Sequence, residues 1–146
     1  MKFEFSAGGI VYKNLKSKIS NRKSEVLILL CQHSQHHGWV FPKGLIGDTH
    51  ANETKEDTAV REVEEETGVL ATIEKPLKPI VYWYQWEGEK RKKTVYYYIM
   101  WFVSEDVGKK DDEMEKVAWL PINEVENRLT YPSDKQVWHE AKKLLK

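Results

Sequence analysis

Glu62, Glu65 and Glu66 fall within five residues and directly follow Arg61. On a helix they are related by i+3 and i+4, so all three share one face. Ala59, Val60, Val63 and Thr67 fall on a neighbouring arc that can pack on a sheet, and Glu64 points roughly opposite Glu62. Three carboxylates on one face repel one another and weaken the helix unless a cation sits among them. Hard oxygen ligands on a rigid face suit Mg²⁺ or Mn²⁺, ions that keep several waters and also bind phosphates. The ordinary reading of an acidic run is a solvated helix face. The context of this one overturns that reading.

The helix that would carry these residues spans Thr54 to Thr67. Thr54 with Asp57 three residues on is an approximate N-cap signature, Glu56 and Asp57 sit where the helix dipole favours negative charge, and Gly68 is the expected stop. Strands are expected at Phe3 to Tyr12, Val26 to Leu30, Val69 to Ile73, Ile80 to Trp86, Thr94 to Val103 and Lys116 to Leu120. Glu87 to Lys90 reads as a hairpin turn, and Asn14 to Ser24 as a mobile loop. Ile122 to Leu129 and an amphipathic Ser133 to Leu144 are the later helices. Strands alternating with helices, with an antiparallel hairpin among them, predict a mixed α/β class.

The acidic stretch belongs to a longer pattern. Gly47, five residues, Glu53, seven residues, then Arg61-Glu62-Val63-x-Glu65-Glu66-x-Gly68-Val69 covers a 23-residue span with nine specified positions. This resembles the signature of the Nudix hydrolases. Gly8-Gly9-Ile10-Val11 resembles that family's first core strand, Trp39-Val40-Phe41-Pro42-Lys43-Gly44 the approach to its box, and Trp119-Leu120-Pro121-Ile122 its late strand and following helix. The resemblance implies an α/β/α sandwich around a mixed β-sheet, with residues 1–146 forming one domain. It also implies cleavage of a nucleoside diphosphate derivative by water attack on phosphorus. Glu62, Glu65 and Glu66 would ligate Mg²⁺ or Mn²⁺, the Lys43 carbonyl would complete a metal site, and Arg61 with Glu53 would pin the loop to the helix. Gly47 and Gly68 would be structural. One departure stands out: Gly44 of the Pro-Lys-Gly segment lies nine residues before Glu53 where many family members have six. Either Leu45 to Asn52 carries a three-residue insertion, which the intact Pro42-Lys43-Gly44 context favours, or Gly47 replaces Gly44.

A further acid could serve as base or ligand. Glu113 and Glu115 stand six and four residues before Trp119, and Glu113 is the candidate, with a solvated acidic loop as the ordinary alternative. His36 and His37 read as loop residues near the phosphates, and the spacing of Cys31 and the histidines argues against zinc. Lys90 to Lys93 reads as a solvated basic run, with an anionic substrate facing it as the alternative. Within the family, Pro42-Lys43-Gly44, Tyr82, Tyr84 and Leu129-Thr130-Tyr131-Pro132-Ser133-Asp134 resemble the diadenosine polyphosphate hydrolases. That likeness implies Lys43 on phosphate and Tyr82, Tyr84 and Tyr131 as base-stacking surfaces, with diadenosine tetraphosphate giving ATP and AMP. A nucleoside triphosphate pyrophosphohydrolase, a diphosphoinositol polyphosphate hydrolase, and a silent nucleotide-sensing or RNA-binding domain are the alternatives.

Composition narrows the classes. The chain has 146 residues, 40% hydrophobic and 32% charged, with 23 basic and 23 acidic side chains. Zero net charge disfavours a globally basic nucleic-acid binder, so no nucleic acid is expected, and the family resemblance implies a small-molecule nucleotide as the partner. No run of about 18 apolar residues exists, so no membrane span is expected. One cysteine, Cys31, excludes an internal disulfide, and no signal peptide is read, so a cytoplasmic location is expected. Oligomeric state is open.

Overall fold

The computed structural model describes residues 1–15, 25–47 and 50–145. The chain runs β1 (Lys2–Leu15), β2 (Glu25–His33), β3 (Trp39–Val40), β4 (Lys43–Leu45), α1 (Lys55–Thr67), β5 (Val69–Pro76), β6 (Ile80–Trp86), β7 (Glu89–Glu105), a 3-10 turn at Val107–Lys109, β8 (Met114–Pro121), α2 (Ile122–Arg128) and α3 (Pro132–Leu144). The expected loop over 14–24 falls mostly outside the described residues; Asn14 and Leu15 continue β1 and pair with Val26 and Glu25.

The strands form one mixed sheet whose main path is β3-β2-β1-β7-β5, with β4 on β1, β6 on β7 and β8 on β2. β1 and β7 pair in parallel from Lys2↔Arg91 to Tyr12↔Trp101, and the other pairings are antiparallel. Two apolar layers cover its two faces. Ala7, Val11, Tyr98 and Met100 pack under Ala59 and Val63 of α1. Ile10, Tyr97 and Ile99 pack with Val125, Val137 and Trp138 of α2 and α3. Helices on both faces of a mixed sheet make the expected α/β/α sandwich. Among the described residues, no helix is long and apolar enough to cross a membrane.

Two features place the site. The Thr54 hydroxyl accepts from the Asp57 N–H at 3.1 Å, and Gly68 closes α1 at φ +79°, so α1 has the expected bounds and its acidic face a fixed phase. The hairpin is tighter than the sequence suggests. Only Glu87 and Gly88 turn, at φ +50° and +77°, the positive pair that two-residue hairpin loops need. β7 therefore begins at Glu89, and Lys90 to Lys93 lie inside a strand.

Candidate active site

α1 presents its acidic face to a cavity of about 810 Å³. Arg61 organises that face. Its Nε and Nη2 grip both oxygens of Glu53 at 2.7 and 2.8 Å, while Nη1 reaches Glu62 at 2.8 Å and Glu65 at 3.1 Å. The Thr58 hydroxyl donates to Glu53 at 2.7 Å. The Arg61 hydrogen bonds hold the Glu53 carboxyl down to about 2, against a burial that pushes the other way. The segment before α1 is thereby tied to the helix.

Glu66 stands on different terms. Its side chain is almost fully buried, and burial, then the nearby Glu113 and Glu62 charges, push its carboxyl well above the usual range. Its hydrogen bond comes from the Lys43 backbone N–H, at 3.1 Å. Lys43 arrives there because β4 pairs with β1 through Gly8↔Lys43 and Ala7↔Gly44. Gly44 makes the closest approach: a Cβ there would sit 2.1 Å from the Glu62 carboxyl carbon. Gly47 has φ +79°, and beyond its chain neighbours the nearest atom among the described residues to an added Cβ is the Ala51 carbonyl oxygen at 3.8 Å, so it serves a turn and does not meet the helix. The geometry gives Gly44, and not Gly47, the close contact with the helix.

The donor set fits a hard divalent cation. Glu62 and Glu66 are both buried, and Glu66 has the Glu62 and Glu113 charges near it, an arrangement that costs free energy unless positive charge arrives. Among the described residues, no three His, Cys, Asp or Glu side chains already close around one point. Glu62 and Glu65 lean on Arg61 instead. Mg²⁺ keeps several waters and needs no closed protein cage.

The rest of the cavity sorts the other candidates. Tyr82 and Tyr131 line it; Tyr84 does not, its hydroxyl being turned to Glu4. Glu113 lines the cavity, 3.6 Å from the His33 Nε2, whereas Glu115 bonds His37 at 2.6 Å and stands outside the lining. His36 lines it too and holds the Tyr131 hydroxyl at 2.8 Å.

Three lining residues lie outside the expected site set. Of the basic run, which reads first as solvated and alternatively as facing an anionic substrate, Lys93 lines the cavity, and burial lowers its ammonium to about 8. Its parity with Val95, Tyr97 and Ile99 on β7 was the available signal, masked by placing the strand start at Thr94. Asp134, in the first turn of α3, is buried and accepts from the Tyr97 hydroxyl at 3.3 Å. His33 completes the set, stacked on His36 with centroids 4.1 Å apart.

A model of the NUDIX domain matches residues 18–141. The chain belongs to the NUDIX family. A Mycobacterium tuberculosis protein named as mutator protein MutT4 is 35% identical over 97% of this chain, which spans 56% of that protein's length. The asymmetrical bis(5'-nucleosyl)-tetraphosphatase of Rattus norvegicus is 31% identical over 82% of this chain and 80% of its own. Among solved structures, a C. elegans Ap4A hydrolase binary complex superposes with a TM-score of 0.70 at 18% identity, covering 97% of each chain, a likeness of fold. This NUDIX chain thus spans about half the length of the first of these relatives.

Proposed function

We propose that this NUDIX chain hydrolyses a pyrophosphate bond in a nucleoside polyphosphate, with Mg²⁺ or Mn²⁺ held by Glu62, Glu65, Glu66 and the Lys43 carbonyl. The observation that carries the reading is the buried Glu66 carboxyl, crowded by like charges at the edge of a cavity that two lysines also line. When bound, a divalent ion there neutralises phosphate charge and lowers the pKa of water. The chain's own residues supply the rest. Lys43 and Lys93 draw the phosphate chain in, and Tyr82 and Tyr131 offer faces for a base. Glu113 takes the proton of the attacking water as its oxygen bonds phosphorus and the bridging P–O bond breaks. Arg61 and Glu53 hold the helix and its approach in place.

Diadenosine tetraphosphate, split to ATP and AMP, is the first substrate reading. The tetraphosphatase relative, the two lining tyrosines and the cavity's size support it. A nucleoside triphosphate is the second reading, favoured by one observation: Tyr84 is turned away to Glu4, leaving one aromatic of β6 in the cavity. The test is kcat/KM with Mg²⁺ for diadenosine tetraphosphate, 8-oxo-dGTP, ADP-ribose and a diphosphoinositol. The first substrate should lead. A clear lead for 8-oxo-dGTP selects the second reading, and no turnover of any compound with either ion leaves a silent nucleotide-binding domain.

A further inference from the structure

Glu113 comes just before β8, and its side chain is 53% exposed. Its backbone is fixed: the Ser34 N–H donates to the Glu113 carbonyl at 3.0 Å, and the Glu113 N–H donates to an Asp111 carboxylate oxygen at 3.1 Å. A fixed backbone still leaves a half-exposed glutamate its rotamers, and ordering them costs entropy. Among the described residues, the side chain that meets the Glu113 carboxylate is His33, with Nε2 3.6 Å from Oε1, and both residues line the cavity. A slip in register brings them together. Gln32 pairs with Lys116, so unbroken pairing would put His33 opposite Glu115; the register shifts between Gln32 and His33, and His33 meets Met114, the neighbour of Glu113. Irregularities of this kind re-aim a side chain. The ring is then held on two sides. The Gln35 N–H donates to Nδ1 at 3.1 Å, and the His36 ring stacks on it with centroids 4.1 Å and planes 10° apart. A ring nitrogen that accepts from a backbone N–H carries no proton, so in the neutral ring the proton sits on Nε2, the nitrogen that faces Glu113.

We propose that His33 is a positioning residue for Glu113: its Nε2–H turns the carboxylate into the cavity, where the attacking water hands over its proton. The inference rests on the base role of Glu113 proposed above. At 3.6 Å the contact is longer than a hydrogen bond. Catalytic hydrogen bonds are often long before substrate binds and tighten afterwards. His33 keeps its own proton throughout; Glu113 alone takes one, as the water oxygen bonds phosphorus. The arrangement is a base oriented by a third group through a fixed tautomer. His33 also has a rival role. It stacks on His36, which holds the Tyr131 hydroxyl at 2.8 Å, so a His33 that only packed that wall would act on nucleotide binding. The two roles part in the kinetics: orienting Glu113 changes kcat, and supporting Tyr131 changes KM.

Steady-state kinetics with Mg²⁺ and the best nucleotide of the panel test the role. His33→Phe keeps a flat ring against His36 and removes both ring nitrogens. Its kcat should fall about tenfold with KM within about twofold of wild type, as expected when a base is left misplaced. His33→Gln returns an N–H donor at the reach of Nε2 and should recover most of that loss. In a Glu113→Gln background, His33→Phe should cost nothing further, because no base is left to orient. Without metal or substrate, long-range proton–nitrogen correlation spectra of the wild type should show His33 bearing its proton on Nε2. An unmoved kcat in His33→Phe, a loss carried by KM, no recovery in His33→Gln, a full further loss in the Glu113→Gln background, or a proton on Nδ1 would each overturn the proposal. Wild-type turnover in Glu113→Gln would overturn it together with the base role, and is told apart from the other failures because His33 is intact in that variant.

Discussion

Glu53 and Glu66 are thirteen residues apart and both have buried side chains, yet their carboxyls are held at opposite ends of the range. Arg61 grips Glu53 with two hydrogen bonds and keeps it near 2; Glu66 has one backbone N–H and the charges of Glu62 and Glu113 against it. One region carries its own cation and is finished as a structure. The other is short of positive charge and waits for it from outside. On the function proposed above, the difference separates a residue that holds the fold from one that would hold a ligand, although both are glutamates of one pattern.

The sharpest way to break the contrast is to neutralise each side in turn. Glu66→Gln and Glu65→Gln should each cut turnover by orders of magnitude in steady-state assays at saturating Mg²⁺. Thermal melting of metal-free Glu66→Gln should show a Tm equal to or above wild type, because the substitution relieves repulsion and burial cost. Near wild-type turnover in either variant removes that residue from the metal set.

Arg61→Met should do the reverse. It leaves Glu53 buried without its partner, a change of about 3 kcal/mol when one member of a buried pair is removed, read as a lower midpoint in urea. Adding Glu53→Gln should recover much of that loss.

Lys93→Met should raise KM about tenfold, the loss of one charge-assisted contact to phosphate, with kcat little changed. In the wild type the Lys93 charge is present below about 8 and lost above it. KM should therefore climb as pH rises past 8, and a pH series should find that climb absent in Lys93→Met.

Stability at low pH gives a smaller signal. Glu53 has a folded value of about 2 against an ordinary 4.5. Its contribution is complete above 4.5 and is lost as pH falls from there towards 2, so unfolding curves should show a slope in this window that Glu53→Gln flattens.

The smallest effect belongs to the loop. Deleting three residues between Gly47 and Asn52 should leave metal dependence and Tm near wild type, because Gly44 makes the close contact with the helix. Abolished activity would return the structural role to Gly47.

The sequence was most legible where local rules act together. α1 shows its cap at Thr54, its stop at Gly68 and its acidic phase in consecutive residues, and all three hold. β7 starts earlier than its sequence suggests because four basic residues carry weak strand propensity, and pairing of Arg91 to Lys93 with Lys2 to Glu4 of β1 and of Lys90 with Gln85 of β6 overrides it. Lys93 was lost with that boundary. Tyr82 and Tyr84 share a face, as alternation requires, but alternation does not say how far along a strand a cavity reaches. Tyr82 lies within it, and Tyr84 lies nearer the hairpin tip, where Glu4 takes its hydroxyl. Likewise Glu113 and Glu115 share a parity, and only the contacts of His33 and His37 separate them.

The parallel pairing of β1 with β7 joins residues 89 apart, from Lys2↔Arg91 onward. During synthesis, β2 and β4 can cover one flank of β1 early. The other flank must wait for β7, roughly 4 to 18 s at about 5–20 residues per second. Over that interval Val11 and Ile10 hold half-built layers on both faces of an open strand. Long-range parallel closure is slow for the same reason in refolding from denaturant. The newborn chain thus spends those seconds with its central strand available to other chains, and its yield in a cell will depend on how crowded they are.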